Sequence, residues 1–200
     1  MRKLIVFMHM SLDGYVSAAD KGADWGSADS SSDIFASAVP KLIKDADTLL
    51  LGRVLSDELL GYWLNAEANS PGLSKGELAY ARWATGAKKV ILSKHDEKPK
   101  WPNTEMYFVK DDPTMVKAIA GVKKAPGKNI IVHGGVRTVR DLARLGLVDE
   151  YQLVIHPVIL GSGMSIFTGV KNIVPLKLKD VESLKGGALV ATYEPSDTAQ

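Results

Sequence analysis

The sequence predicts one α/β domain of three layers, helices on both sides of a mostly parallel mixed sheet that finishes in antiparallel strands. Three observations lead there. Short apolar runs alternate with helical patterns through the first three quarters of the chain. After Gly146 the alternation stops, and strand-like runs follow one another without a helix between them. Finally, 200 residues with 46% hydrophobic and 24% charged side chains make one ordinary domain with a sizeable core, placed here at residues 1–194 with a frayed tail at 195–200.

The elements follow in order. Runs 3–10, 48–51, 89–92, 106–109 and 129–133 are compact and rich in Val, Ile and Leu, the signature of strands buried on both faces. Between them, residues 33–45 place Ile34, Phe35, Ala38, Leu42 and Ile43 on one helical stripe, with Ser30, Ser31 and Ser32 available as caps and Pro40 expected to kink it. Further helices are expected at 55–63, 76–85 and 113–122. The clearest is 136–145, with Val139, Leu142, Ala143 and Leu145 inward and Gly146 as its stop. Strands are then expected at 150–160, 176–184 and 188–193, the last two joined in a hairpin by Lys185-Gly186-Gly187. Two polar loops, 17–32 and 65–75, are long enough to read as functional.

Composition removes several chemistries. Without cysteine there is no disulfide scaffold, thiolate metal site or cysteine nucleophile. A net charge of +2 with interleaved signs argues against nucleic acid or a membrane surface as partner. The N-terminal apolar run, residues 4–8, reads as a strand and not a signal peptide, so a cytoplasmic protein is expected. No G-x-G-x-x-G, phosphate-loop, H-E-x-x-H or G-x-S-x-G pattern occurs. His9, His95, His133 and His156 are dispersed and read as separate core or surface residues, with no metal site.

The positive signals sit where strands end. Run 129–133 passes through Gly134-Gly135 directly into a helix, either a tight turn or a seat for an anion at a helix N-terminus. Arg137 and Arg140 stand near that N-terminus, where an anion would offset their unfavourable place in the dipole, although Asp141 is spaced to pair with Arg137. Leu51-Gly52-Arg53 and Leu92-Ser93-Lys94 are two more exits. In a parallel sheet all three share one edge, so Gly-Arg, Ser-Lys and Gly-Gly together point to an elongated polyanion such as a dinucleotide.

These exits, in this order, resemble the dihydrofolate-reductase-like family, and within it the branch of the C-terminal reductase domain of the riboflavin-biosynthesis bifunctional deaminase/reductase. The resemblance is carried by Ser11-Leu12-Asp13-Gly14-Tyr15-Val16, Leu49-Leu50-Leu51-Gly52-Arg53, Val90-Ile91-Leu92-Ser93, His133-Gly134-Gly135, Gly146-Leu147-Val148-Asp149-Glu150 and the stretch from His156 to Gly163. It implies NADPH as cofactor, with Arg53, Ser93 and Lys94 at the 2′-phosphate end and, beside Gly52, the corner Gly134, Gly135, Val136, Arg137 and Thr138 holding the pyrophosphate. It also implies a loop over 11–32 covering the substrate, with Asp13 shaping its turn and Trp25 walling the pocket. Asp33 and His133 become the candidates for substrate contact and proton delivery, and a homodimer is expected through the apolar strand near 154–160.

The chain departs from the family in two places. Leu55 stands where members often carry a phosphate-binding hydroxyl, leaving Ser56 as substitute, and His133 stands where the pathway enzymes carry an acid. The activity expected is hydride transfer from NADPH to a small heterocyclic, pterin- or pyrimidine-like imine or carbonyl. The alternatives are the riboflavin-pathway 5-amino-6-(5-phosphoribosylamino)uracil reductase, dihydrofolate reductase proper, or a nucleotide-binding module that has lost the chemistry.

Overall fold

The computed structural model describes residues 1–18 and 28–196. In chain order the elements are β1 (Leu4–Ser11), β2 (Ser17–Ala18), α1 (Ala28–Ala36), α2 (Ala38–Lys44), β3 (Ala46–Gly52), α3 (Arg53–Trp63), α4 (Ala66–Asn69), α5 (Lys75–Gly86) and β4 (Lys88–Ser93). They continue with β5 (Thr104–Phe108), α6 (Asp112–Lys124), β6 (Asn129–His133), α7 (Val136–Arg144), β7 (Glu150–His156), β8 (Gly163–Met164), β9 (Leu176–Ser183) and β10 (Leu189–Pro195).

Eight strands form one sheet in the order β5-β4-β3-β6-β1-β7-β10-β9. The six strands from β5 to β7 run parallel, while β10 and β9 are antiparallel. This is the mixed sheet the alternation predicted. Strand periodicity explains the layers, because successive side chains leave opposite faces. From β1, Leu4, Val6, Met8 and Met10 pack with Ile119 and Val122 of α6 and Val139 and Leu142 of α7. Ile5 and Phe7 turn to the other face and meet Ile34, Val39, Leu42 and Tyr80 from α1, α2 and α5. Both faces are covered over the central strands β1, β3, β4 and β6, which are therefore largely apolar and buried.

Four expectations are corrected. The first helical region breaks at Ser37 (φ −120°) and not at Pro40, which sits three residues into α2, where a missing N–H leaves no intrahelical bond unmade. Ser30, Ser31 and Ser32 lie inside α1 and are not its caps. The seventh strand ends at His156, because Pro157 has no N–H to continue a ladder and Val158 N–H turns back to the His156 carbonyl at 2.8 Å. At the C-terminus, Pro195 belongs to β10 and Ser196 N–H donates to Pro175 O at 2.8 Å, so the ordered chain runs past 194.

The long loops also carry structure of their own: α4 lies within 65–75, and β2, at the start of 17–32, pairs with the distant β8. Of the apolar run near 154–160, Val154 is fully buried inside the sheet, whereas Ile159 is exposed. Leu176, Leu178 and Val181 of the edge strand β9 are exposed apolar side chains, as are Ile173, Val174 and Leu189 nearby in the chain. No helix of the described residues is long and apolar enough to cross a membrane.

Candidate functional site at the carboxyl edge of the sheet

Strand register brings the three exits together. Gly52 pairs with Leu92 across β3 and β4, and Leu50 pairs with Val132 across β3 and β6, so Arg53, Ser93 and Gly134 emerge side by side. Contact between the corners is close. A Cβ on Gly52 would collide with Thr138 Oγ1, and one on Gly134 would lie 2.5 Å from Leu55 Cδ2. Gly134 and Gly135 both take φ of +77°, a left-handed conformation that side chains with a Cβ adopt only at a cost.

Two helix N-termini therefore meet at this corner. α3 starts at Arg53 after Gly52, α7 starts at Val136 after Gly135, and neither N-cap supplies a side-chain hydrogen bond. The free backbone N–H groups and dipoles favour an anion there. Arg137 is exposed on the first turn of α7. The Asp141 spaced to pair with it turns instead to Arg144, at 3.4 Å, and among the described residues no carboxylate is bonded to Arg137. Arg140 is committed elsewhere, donating Nε and Nη2 to Ser165 O at 3.1 and 2.9 Å. Ser56 does not replace the hydroxyl missing at Leu55, since it is buried and donates to Arg53 O at 2.7 Å.

The Arg53 end holds a residue that sequence reasoning passed over. Glu97 Oε1 accepts from Arg53 Nε at 2.7 Å and from Ser93 Oγ at 3.0 Å, and Asp57 Oδ2 takes Arg53 Nη1 at 2.6 Å. The Arg53 hydrogen bond holds the Glu97 carboxyl below the usual carboxylate range, with Ser93 adding to it. Lys94 is exposed, and its charge favours the ionised form of Asp112.

On the face covered by α1 and α5 lies a group of imidazoles. His9 Nδ1 and His156 Nε2 share a hydrogen bond of 3.0 Å with their rings stacked, so these two are not the separate residues expected. Phe7 stands edge-on between His9 and His133, at 5.7 and 5.6 Å. His133 Nδ1 is 2.6 Å from the hydroxyl of fully buried Tyr80. Burial pushes His133 down to about 4 and His9 down to about 3, the latter helped by His133 and His156. At neutral pH His133 is an uncharged hydrogen-bonding group, not a charged acid.

The carboxylate candidates have partners as well. Asp33 lies within α1 and Oδ2 accepts from Gly186 N–H at 3.2 Å, tying α1 to the turn between β9 and β10. Asp13 accepts from Ser11 Oγ at 2.6 Å and from the N–H groups of Leu160 and Gly161 at 3.1 and 2.7 Å, which commits its oxygens to protein. Trp25 lies outside the described residues. Among the described residues no group of His, Asp or Glu is arranged to hold a metal ion.

Tyr80 tests how much this network carries. Tyr80→Phe keeps the ring among Phe35, Trp63 and Trp83 but removes the hydrogen bond between the Tyr80 hydroxyl and His133 Nδ1. The unfolding free energy by urea titration should fall by about 1–3 kcal/mol, the usual penalty for a buried polar atom left unpaired. An unchanged value would show that the bond contributes nothing.

Comparison with known proteins follows the same lines. Residues 2–191 match the model of the RibD C-terminal domain. Over 194 residues the chain is 27% identical to the uncharacterized protein YyaP of Bacillus subtilis, covering 96% of this chain and 94% of that one. A diaminohydroxyphosphoribosylaminopyrimidine deaminase/5-amino-6-(5-phosphoribosylamino)uracil reductase of Thermotoga maritima superposes with a TM-score of 0.63 at 13% identity, over 98% of this chain and 57% of that one. A dihydrofolate reductase of Enterococcus faecalis complexed with NADP(H) superposes with a TM-score of 0.55 at 13% identity, over 98% and 97%. At such identities the superpositions establish the fold, which is dihydrofolate-reductase-like.

Proposed function

The chain belongs to the RibD C-terminal domain family, and from that premise we propose that it is a reductase passing hydride from NADPH to a small heterocyclic, pterin- or pyrimidine-like imine or carbonyl. The observation that carries this reading is the convergence of the N-termini of α3 and α7 on the Gly134 corner, with exposed Arg137 beside it. That cradle fits a pyrophosphate, because backbone N–H groups approach without an intervening Cβ and a guanidinium adds charge.

In this reading Gly134, Gly135, Val136, Arg137 and Thr138 hold the pyrophosphate, while Arg53 and Ser93 reach the adenosine end. The nicotinamide, when bound, supplies the hydride, and the protein positions it and excludes water. His133 is kept neutral by burial and oriented by Tyr80, so it serves as a hydrogen-bonding group toward a neutral heterocycle. Asp33, on the helix that covers the same face, is the carboxyl we assign to proton delivery. An uncharged His133 in place of an acid favours a substrate other than the phosphoribosylamino-uracil named for the Thermotoga maritima protein.

Arg137→Ala is the direct test. The side chain is exposed, so the fold should be untouched. Affinity for NADPH and NADH alike, followed by tryptophan fluorescence, should drop about tenfold to a hundredfold, the loss expected of one charge-assisted contact common to both. Unchanged affinity for both would remove the pyrophosphate from this corner.

A further inference from the structure

The donors reserved above for a 2′-phosphate already have an anion on them. Glu97 bonds both Arg53 Nε (2.7 Å) and Ser93 Oγ (3.0 Å), so one carboxylate oxygen takes the guanidinium and the hydroxyl together. Asp57 takes Arg53 Nη1 at 2.6 Å and is bonded in turn by Lys100 Nζ at 3.1 Å. The cluster thus balances two carboxylates against two cations. His95 adds attraction toward Glu97, and Ser93 Oγ also accepts the His95 N–H at 3.0 Å.

A 2′-phosphate would bring up to two negative charges into this balanced cluster. It must either displace Glu97 from both donors or sit against a like charge, and either lowers affinity. NADH carries a hydroxyl at the same carbon. A hydroxyl donates to a carboxylate, the arrangement by which dinucleotide sites with an acidic residue recognise an unphosphorylated ribose.

We infer that Glu97 sets the dinucleotide preference: its carboxylate stands in for the 2′-phosphate on Arg53 and Ser93, holds down affinity for NADPH and leaves room for NADH. The inference rests on the dinucleotide reading above and concerns a residue outside the assigned pyrophosphate corner.

The test is a binding measurement on the full chain. NADPH and NADH are titrated separately into wild type, Glu97→Gln and Glu97→Ala at fixed ionic strength, with tryptophan fluorescence as readout. Gln keeps the size and can still accept from Arg53, and Glu97 is partly exposed, so neither variant removes a core contact. The ratio of the NADH to the NADPH dissociation constant should rise at least fivefold in both variants. A smaller rise in either variant, or a shift toward NADH, overturns the proposal. If neither dinucleotide binds any of the three proteins, the nucleotide site itself falls and the inference with it, an outcome distinct from binding with an unmoved ratio.

Discussion

Acidification from pH 7 to pH 5 should lower the unfolding free energy by about 3 kcal/mol through His9 and His133 alone. In the folded chain His9 protonates near about 3 and His133 near about 4, both held down by burial. An unfolded histidine protonates near about 6.5. Below that value the unfolded state takes up protons that the folded state refuses, so stability is complete above about pH 6.5 and falls with pH at up to about 1.4 kcal/mol per unit per histidine. Burial also pushes His156 down, which acts in the same direction.

Carboxylates act lower on the scale. Asp47 has its carboxyl held below the usual range by the Lys128 N–H, Thr48 and Arg2 against its own desolvation, and that support is lost only as pH falls below about 4. The interval between pH 7 and 5 therefore belongs to the histidines. Urea titrations at pH 7, 6 and 5 measure the slope, and His9→Asn should remove about half of it. A flat profile in wild type would mean that the imidazoles protonate in place.

Gly134→Val should weaken dinucleotide binding at least a hundredfold, equivalent to about 2.7 kcal/mol. Two causes add. A β-branched residue at φ +77° is strained by about 1–3 kcal/mol, and its Cβ would stand 2.5 Å from Leu55 Cδ2. The backbone must rotate to relieve both, which turns N–H groups of the α7 N-terminus away from the ligand. Titration with NADPH, beside a thermal unfolding curve that confirms the folded state, measures the loss. Near-wild-type affinity would show that the corner is only a turn.

Local signals were legible in the sequence because they are local. Residues 129–133 form β6 with the boundaries expected, and α7 begins at Val136 because a glycine pair and an amphipathic run adjoin each other. The shared rim of Arg53, Ser93 and Gly134 followed once the strands were read as parallel, since parallel strands end on one edge. The contacts that define the site's character were not legible. His9 and His156 lie 147 positions apart and meet only because Ser11 pairs with His156 in the β1–β7 register. Tyr80 reaches His133 across 53 positions, and no spacing rule signals a hydroxyl on a buried helix face. Glu97 is four residues past Ser93, near enough to find, but only the fold of that turn points its carboxylate back at Arg53. The break at Ser37 was hidden because Pro40 drew attention as the stronger helix breaker, yet proline is tolerated within a first turn.

The Asp13 bridge has a practical consequence for anyone re-engineering the loop after β1. Its carboxylate comes from the turn after β1, and the N–H groups it receives come from Leu160 and Gly161, 147 and 148 positions away. The two stretches behave as one transplantable part. A chimera that imports the 12–16 turn from a relative without its matching 160–161 partner strands either an acid or two amides, whereas exchanging both together preserves the join.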